Sequence, residues 1–329
     1  MVRLLLIVLM PVMMIAQDVQ FSQIHSFPLH LNPAMTGFFD GDIRAGAIYR
    51  NQWFTVNSDY GNAKYQTVGA YIDGSLLKGT LKNDYLGVGA CFFNDWAGDM
   101  SYRTTDVTMN IAYSKGFGRT IKHSIALGLQ GNLRMVGLNT SKAVFSDGIA
   151  ENIIGNSTTF DAGVGVRYHV AIRRRLNMYI GGAYTHILQP NERLVSVGTK
   201  LAGKITIHAG AVADINDKFN LIPSVMFLYQ GAQWMVNAGT YAQYVFSMDG
   251  DEKNGIALGA WTRVASPAPD AVIAGVRLDY KGLQVAFSYD FNISELGKAT
   301  NFQGGPELGV TYIAKIKRVK KDRAPCARF

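Results

Sequence analysis

Cysteine is almost absent: Cys91 and Cys326 are the 2 in 329 residues. A disulfide scaffold is therefore excluded, and the wide separation of the two gives no basis for pairing them. Charge is sparse, at 17% of residues, where an ordinary soluble domain carries about 25%. Past the N-terminus no run of about 18 apolar residues occurs, which argues against a bundle of membrane helices. Catalytic signatures are missing as well, with no G-x-S-x-G, no Walker sequence and no H-E-x-x-H. The 6 histidines, at 25, 30, 123, 169, 186 and 208, show no metal-ligand spacing. No catalytic, cofactor-binding or metal-binding residue is assigned, and no cofactor is implied. What the chain does have is aromatics at 11%, with 16 Tyr and 17 Phe, and 35 Gly against 9 Pro. Such a composition excludes disorder and points to a β protein. The net charge is +8.

Residues 1–16 read as a secretory leader: Arg3, then an apolar stretch, then the small Ala16. Cleavage near Ala16 and export follow as expectations. Residues 17–41 are neither alternating nor helix-periodic, and Asn32-Pro33 biases them toward extended or turn backbone. Two roles fit this segment: a plug or partner-binding strap in the lumen mouth, or an ordered tether closing the periplasmic end. Residues 42–315 carry the strand pattern, and residues 316–329 form a basic tail.

Period-two alternation dominates the chain. Val107, Met109, Ile111 and Tyr113 share one face, with Asp106, Thr108, Asn110, Ala112 and Ser114 on the other. Phe160 to Tyr168, Val272 to Tyr280 and Leu283 to Phe291 repeat the pattern. A soluble sandwich would pack the apolar face inward, whereas an outer-membrane barrel turns it to lipid. The small, polar character of the second face favours the barrel. So does the position of Tyr85, Tyr113, Tyr168, Tyr184, Tyr229, Tyr244, Tyr280 and Phe291 at strand ends, as in interfacial girdles.

The pattern predicts about 14 antiparallel strands in an all-β transmembrane barrel. They fall near 42–51, 63–73, 84–94, 103–114, 123–138, 158–170, 176–188, 200–212, 219–229, 233–246, 254–262, 270–280, 283–291 and 304–315. Pro223 sits inside the ninth, where a proline removes one ladder donor. The longer connections follow odd-numbered strands, so with the chain start in the periplasm they are external.

Arg44, Arg50, Asp106, Arg134, Asp161, Arg167, Arg277, Asp279 and Asp290 fall on the polar face. They read either as a polar channel or docking surface, or as paired charges filling the interior, since buried charges require partners. Gly87 with Gly89, and Gly163 with Gly165, read as lumen-facing glycines. The C-terminal run Lys315, Lys317, Arg318, Lys320, Lys321, Arg323 and Arg328 suits lipid head groups, a periplasmic partner or plain solvation. Nucleic acid is a poor reading for an exported chain. Replacing lumen-side Ser288 is expected to cost little.

Two segments are distinctive. One is Asp18 to Gln23, containing Phe21, Ser22 and Gln23, followed by Leu31-Asn32-Pro33-Ala34 and Gly37. The other is Tyr49-Arg50-Asn51-Gln52-Trp53. In this order they resemble the PorP/SprF family of Bacteroidota outer-membrane proteins. The ending Pro325-Cys326-Ala327-Arg328-Phe329 resembles a variant of that family's Cys-Pro-Arg-Phe terminus. The resemblance implies a single-chain barrel serving type IX secretion and gliding motility. It further implies partnership with a secreted adhesin that carries a C-terminal sorting domain, held at the cell surface. Periplasmic type IX components and peptidoglycan-associated proteins are implied as further partners, beside outer-membrane lipid. No enzymatic activity is implied; a diffusion porin or small-solute channel is the alternative. Trp53, Phe54 and Tyr60 on the first external loop, Trp96 on the second and Phe145 on the third are candidate partner contacts, because large aromatics anchor interfaces. For Trp53 and Trp96 the external aromatic girdle is the other reading.

Overall fold

A computed structural model describes residues 18–52, 57–58, 61–62, 65–78, 81, 83–98, 102–118, 122–138, 155–172, 175–193, 198–249, 252–266, 268–294 and 302–316. Fourteen antiparallel strands close into one barrel. They are β1 (Ile43–Gln52), β2 (Tyr65–Leu76), β3 (Tyr85–Ala97), β4 (Tyr102–Phe117), β5 (Lys122–Gly137), β6 (Asn156–Ile172) and β7 (Leu176–Thr185). The second half comprises β8 (Lys204–Asp214), β9 (Phe219–Gln230), β10 (Gln233–Asp249), β11 (Glu252–Ala265), β12 (Ala268–Tyr280), β13 (Leu283–Asn292) and β14 (Gln303–Ala314). Closure is by β1 against β14, with Ile43 opposite Ala314 and Arg50 opposite Glu307. No strand edge is left over, as a membrane span requires.

The alternation has the direction expected of an outer-membrane barrel. Met109, Leu127, Leu129, Phe160 and Leu258 are more than half exposed on the outer wall. Asp106, Asn110, Arg134, Arg167 and Ser288 are buried inside. Tyr113, Tyr168, Tyr184, Tyr229, Tyr244, Tyr280 and Phe291 stand on the outer wall. Tyr85 does not: its ring is 2% exposed, faces inward, and its hydroxyl accepts from Arg167 Nη2 at 2.9 Å. Its position at a strand end made it look like a girdle residue, whereas its odd register on β3 turns it inward.

The strand containing Pro223 remains a central barrel strand, because only one of its two ladders is affected. Pro223 pairs with Thr240 on β10. Toward β8 the register passes from Gly210–Ser224 to Ala213–Leu221 with no pair between. The missing N–H is thus absorbed at a local gap.

Short turns join β2–β3, β4–β5, β6–β7, β8–β9, β10–β11 and β12–β13 at one end, where β1 begins and β14 ends. The other end carries the long connections 53–64, 138–155, 186–203 and 293–302, beside the shorter ones 98–101, 231–232 and 266–267. In outer-membrane barrels the short turns are periplasmic and the long loops external.

Candidate functional site: a lumen occupied by the N-terminal segment

Residues 18–42 run through the lumen from one end to the other. Asp18 lies at the long-loop end, where its N–H donates to Gln230 Oε1 at the end of β9. Asp42 lies at the short-turn end, where its N–H donates to Ala314 O. The segment is therefore confined neither to the mouth nor to the periplasmic end. It makes one helical turn, Pro28–Leu31, and one 3-10 turn, Pro33–Met35, each opened by a proline whose missing N–H costs nothing there. Asn32 joins the two turns: its Oδ1 accepts from Ala34 N at 2.8 Å. Its Nδ2 donates to Val166 O and Gly182 O, on β6 and β7.

Apolar side chains of the segment supply the core that the polar inner wall lacks. Phe21, Phe27 and Leu29 cluster with Ile48, Tyr71, Cys91 and Phe93 of the wall. Ile24 packs with Met226, Leu228 and Met235, and Met35 and Phe38 pack with Tyr179. Cys91 is therefore a buried core thiol, while Cys326 lies outside the described residues. Wall glycines let the backbones meet. A Cβ on Gly165 would lie 2.0 Å from Asn32 Oδ1, and one on Gly87 would lie 2.2 Å from Thr36 O. On Gly128 it would lie 2.3 Å from Ala34 N.

Three charged clusters fix the segment. In the first, in the half of the lumen toward the long-loop end, the two family-like motifs meet. Ser22 Oγ donates to Asp290 at 2.7 Å and accepts from Arg50 at 2.6 Å and Arg263 at 2.9 Å. That uses the full hydrogen-bonding capacity of a hydroxyl. Glu307 accepts from Ser22 N and Gln23 N, both at 2.8 Å, and pairs with Arg50 at 3.1 Å. Gln23 Nε2 donates to Ser288 Oγ at 3.1 Å and to Glu307 O at 3.0 Å. Ser288, on the inner face as its alternation indicates, is fully buried against the segment. Arg263 also pairs with Asp270, and Arg50 Nη2 reaches Gln52 Oε1 at 3.3 Å.

The second cluster holds the start of the segment at the long-loop end. Arg134 pairs with Asp18 at 3.1 Å, Asp106 at 2.9 Å and Glu192 at 2.7 Å. His186 bridges Asp161 at 2.6 Å and Asp18 at 2.7 Å, and Lys204 Nζ donates to Asp18. His186 lies just beyond β7. Burial alone would lower its pKa, but the Asp18 and Asp161 carboxylates outweigh it and hold the imidazole up at about 9. Burial likewise works against ionised Asp18, yet His186, Lys204 and Arg134 keep its carboxyl well below the usual range.

The third cluster holds the end of the segment. Arg44 forms a fork with Asp73, both bonds 2.9 Å, and Asp73 accepts from Gly37 N at 2.8 Å. Arg167 has no carboxylate partner among the described residues. It donates to Ala34 O at 3.2 Å, and its guanidinium lies 3.6 Å from the Phe38 ring centroid. Arg277 pairs with Asp279 at 3.1 Å and lies over the Tyr241 ring. Cavities of about 30 and 40 Å³ beside the segment are on the scale of single waters.

The structure therefore brings Phe21, Ser22, Gln23, Asn32, Pro33, Ala34, Gly37 and Arg50 together around one lumen. Asn51 is on the outward register of β1. Trp53, Phe54, Tyr60 and Phe145 lie outside the described residues. Trp96 belongs to the last turn of strand β3, not to a loop. It occupies an outward register and its ring lies 5.8 Å from the Arg103 guanidinium. That position fits a girdle. Asp73, Arg263, Glu307 and Lys204 were not singled out in the sequence, although their alternation with Tyr71, Trp261, Gly309 and Thr206 marks the inner face. His186 falls inside the predicted strand 176–188 but lies one residue beyond the observed β7, and Glu192 sits in the connection that follows.

A closed fourteen-stranded barrel, apolar outside and filled by its own N-terminal segment, defines a plugged barrel of the outer-membrane type. The chain belongs to the family of type IX secretion system membrane proteins PorP/SprF, whose sequence model matches residues 14–312. Family and fold together place it in the outer membrane with a role in type IX secretion. No curated protein matches the sequence. Among solved structures it is similar to the monoaromatic hydrocarbon channel TodX in a deltaS2 mutant, at 12% identity and TM-score 0.52, covering 89% of this chain and 94% of that one. The toluene transporter TbuX of Ralstonia pickettii gives 8% and 0.50, covering 92% and 96%. The monoaromatic hydrocarbon channel CymD gives 11% and 0.51, covering 91% and 95%. At these identities the likeness is one of fold.

Proposed function

We propose that this barrel is an accessory of type IX secretion and gliding that holds a secreted adhesin at the cell surface through the adhesin's C-terminal sorting domain. The observation that carries the proposal is the filled lumen. A porin needs a continuous wet path, whereas here wall charges pair with the segment or with one another, and Arg167, Asp106 and Ser288 have no solvent exposure. With the interior committed to packing, the working surface of the protein is its external end, built of the long connections. Those connections carry Trp53, Phe54, Tyr60 and Phe145, large side chains suited to anchoring a partner. The leader at residues 1–16 is the export signal in this reading. Periplasmic type IX components and peptidoglycan-associated proteins would meet the opposite end.

The experiment is to replace Trp53 and Phe145 together by Ala and confirm folding by heat-modifiable migration. Surface display of the adhesin and its co-purification in detergent are then measured. Loss of both with an intact barrel supports the reading. Unchanged display and an unchanged complex would remove these residues from the proposed site.

A further inference from the structure

We propose that the short-turn end of the barrel is a cationic collar that binds anionic phospholipid head groups of the inner leaflet. The inference starts from the distribution of the surplus charge. All six short turns carry a cation in the turn or within three residues of it: Lys78 and Lys82, Lys115 with Arg119 and Lys122, Arg173 to Arg175, Lys218, Lys253, and Lys281. Lys315 stands where the barrel closes and begins the basic tail. The opposite end has no such pattern. By the same measure connection 231–232 has no Lys or Arg, 98–101 has Arg103 and 266–267 only Arg263, which is buried and paired with Asp270 and Asp290, and the four longer connections mix Lys64, Lys142, Arg193, Lys200 and Lys298 with acids.

Several acidic groups at the short-turn end are engaged, while Asp217 and Asp249 stand exposed beside Lys218 and the β10–β11 turn. Asp84 accepts from Tyr113 Oη and Gly116 N. Asp214 pairs with Lys253, and Asp40 and Glu252 pair with Lys315. Lys115, Lys122, Arg175, Lys218 and Lys281, by contrast, are exposed and enter no ion pair among the described residues. They stand just beyond the aromatic belt. Lys281 lies 5.3 Å from the Tyr280 ring, and Lys122 adjoins His123, which is stacked between Phe117 and Tyr168. Tyrosine and phenylalanine at this level mark the head-group region, where a cation meets phosphate. The cations are spread around the circumference instead of gathering on one side. A single acidic protein would need one patch; a lipid annulus needs a collar.

The test reconstitutes the full chain in nanodiscs of phosphatidylcholine alone or with one third phosphatidylglycerol. Thermal unfolding midpoints and lipid retained in native mass spectra are recorded at low and high salt. We expect phosphatidylglycerol to raise the midpoint, to be retained preferentially, and to lose both effects in high salt. The fivefold variant Lys115→Gln, Lys122→Gln, Arg175→Gln, Lys218→Gln, Lys281→Gln should retain at least about tenfold less phosphatidylglycerol. A control replacing Lys64, Lys142, Arg193, Lys200 and Lys298 by Gln should behave as the parent. Equal midpoints and retention in both lipids would overturn the proposal, as would equal loss in the control. Binding of soluble polyglutamate to the parent without any phosphatidylglycerol effect would overturn it in favour of an acidic protein. If the fivefold variant fails to fold, salt-insensitive retention by the parent is the overturning result.

Discussion

At the scale of single residues, the lumen is a set of buried charges whose partners lie on a segment far away in sequence. Arg50 serves Asp290, Glu307 and Ser22 at once. Replacing it by Met leaves two buried carboxylates with less compensation, and removing one partner of such a pair costs about 3–5 kcal/mol. Unfolding of Arg50→Met in denaturant, compared with the parent, measures this. The double variant Arg50→Met/Glu307→Gln should lose less than the sum of the two singles. The cluster at the long-loop end adds a pH dependence. The His186 pKa is raised from 6.5 to about 9, so its stabilisation is complete below about pH 6.5 and fades as pH rises through 9. The Asp18 pKa is lowered, so its contribution is complete above about pH 4 and is lost only in stronger acid. Stability should therefore fall between pH 6.5 and 9.5, and His186→Leu should flatten that slope. A thermal melt series across this range gives the answer, and a flat profile for the parent would contradict the assignment.

At the scale of elements, the strands were legible because the two faces of each meet different media. Lipid demands apolar side chains at every second position, and the inner wall demands small or polar ones. The pattern located all fourteen strands to within a few residues, and it placed Asp106, Arg134, Asp161, Arg167 and Asp290 inside. It did not identify what fills the lumen. Gly87 and Gly165 announced free space on the inner face, yet nothing in them names the Thr36 and Asn32 that occupy it. Part of the grip on the segment runs to its backbone, through Glu307, Asp73 and Arg167, and backbone contacts leave no mark in a sequence. Tyr85 is misread from its position at a strand end, although its register on β3 turns it inward, and the contact of Ser288 with Gln23 of the segment is not visible in the alternation of its own strand. The membrane face gives a depth-dependent expectation. Val164, in the middle of β6, should cost about 2–4 kcal/mol when replaced by Arg. Val285 lies only two residues into β13, so the same change there should cost about 0–1 kcal/mol. Equal costs at the two sites would contradict the assigned membrane level.

At the scale of the whole molecule, the N-terminal segment converts a hollow barrel into a solid one. Wall and segment share aromatic clusters, three charged clusters and several backbone contacts, so they act as one packed body. The fold resembles that of hydrocarbon channels, and among the described residues the N-terminal segment packs the lumen. The two cavities beside the segment, of about 30 and 40 Å³, are far below the 300–1,000 Å³ of a small-molecule site. In the proposed reading function lies at the two ends: long connections facing outward, and a cation-bearing rim facing inward. The most direct measurement of this account is single-channel recording of the full-length protein in a planar bilayer, with insertion verified by heat-modifiable migration of the reconstituted sample. The account requires bilayers that carry inserted protein yet show no steady ohmic current. A steady open-pore current from the intact chain would contradict it.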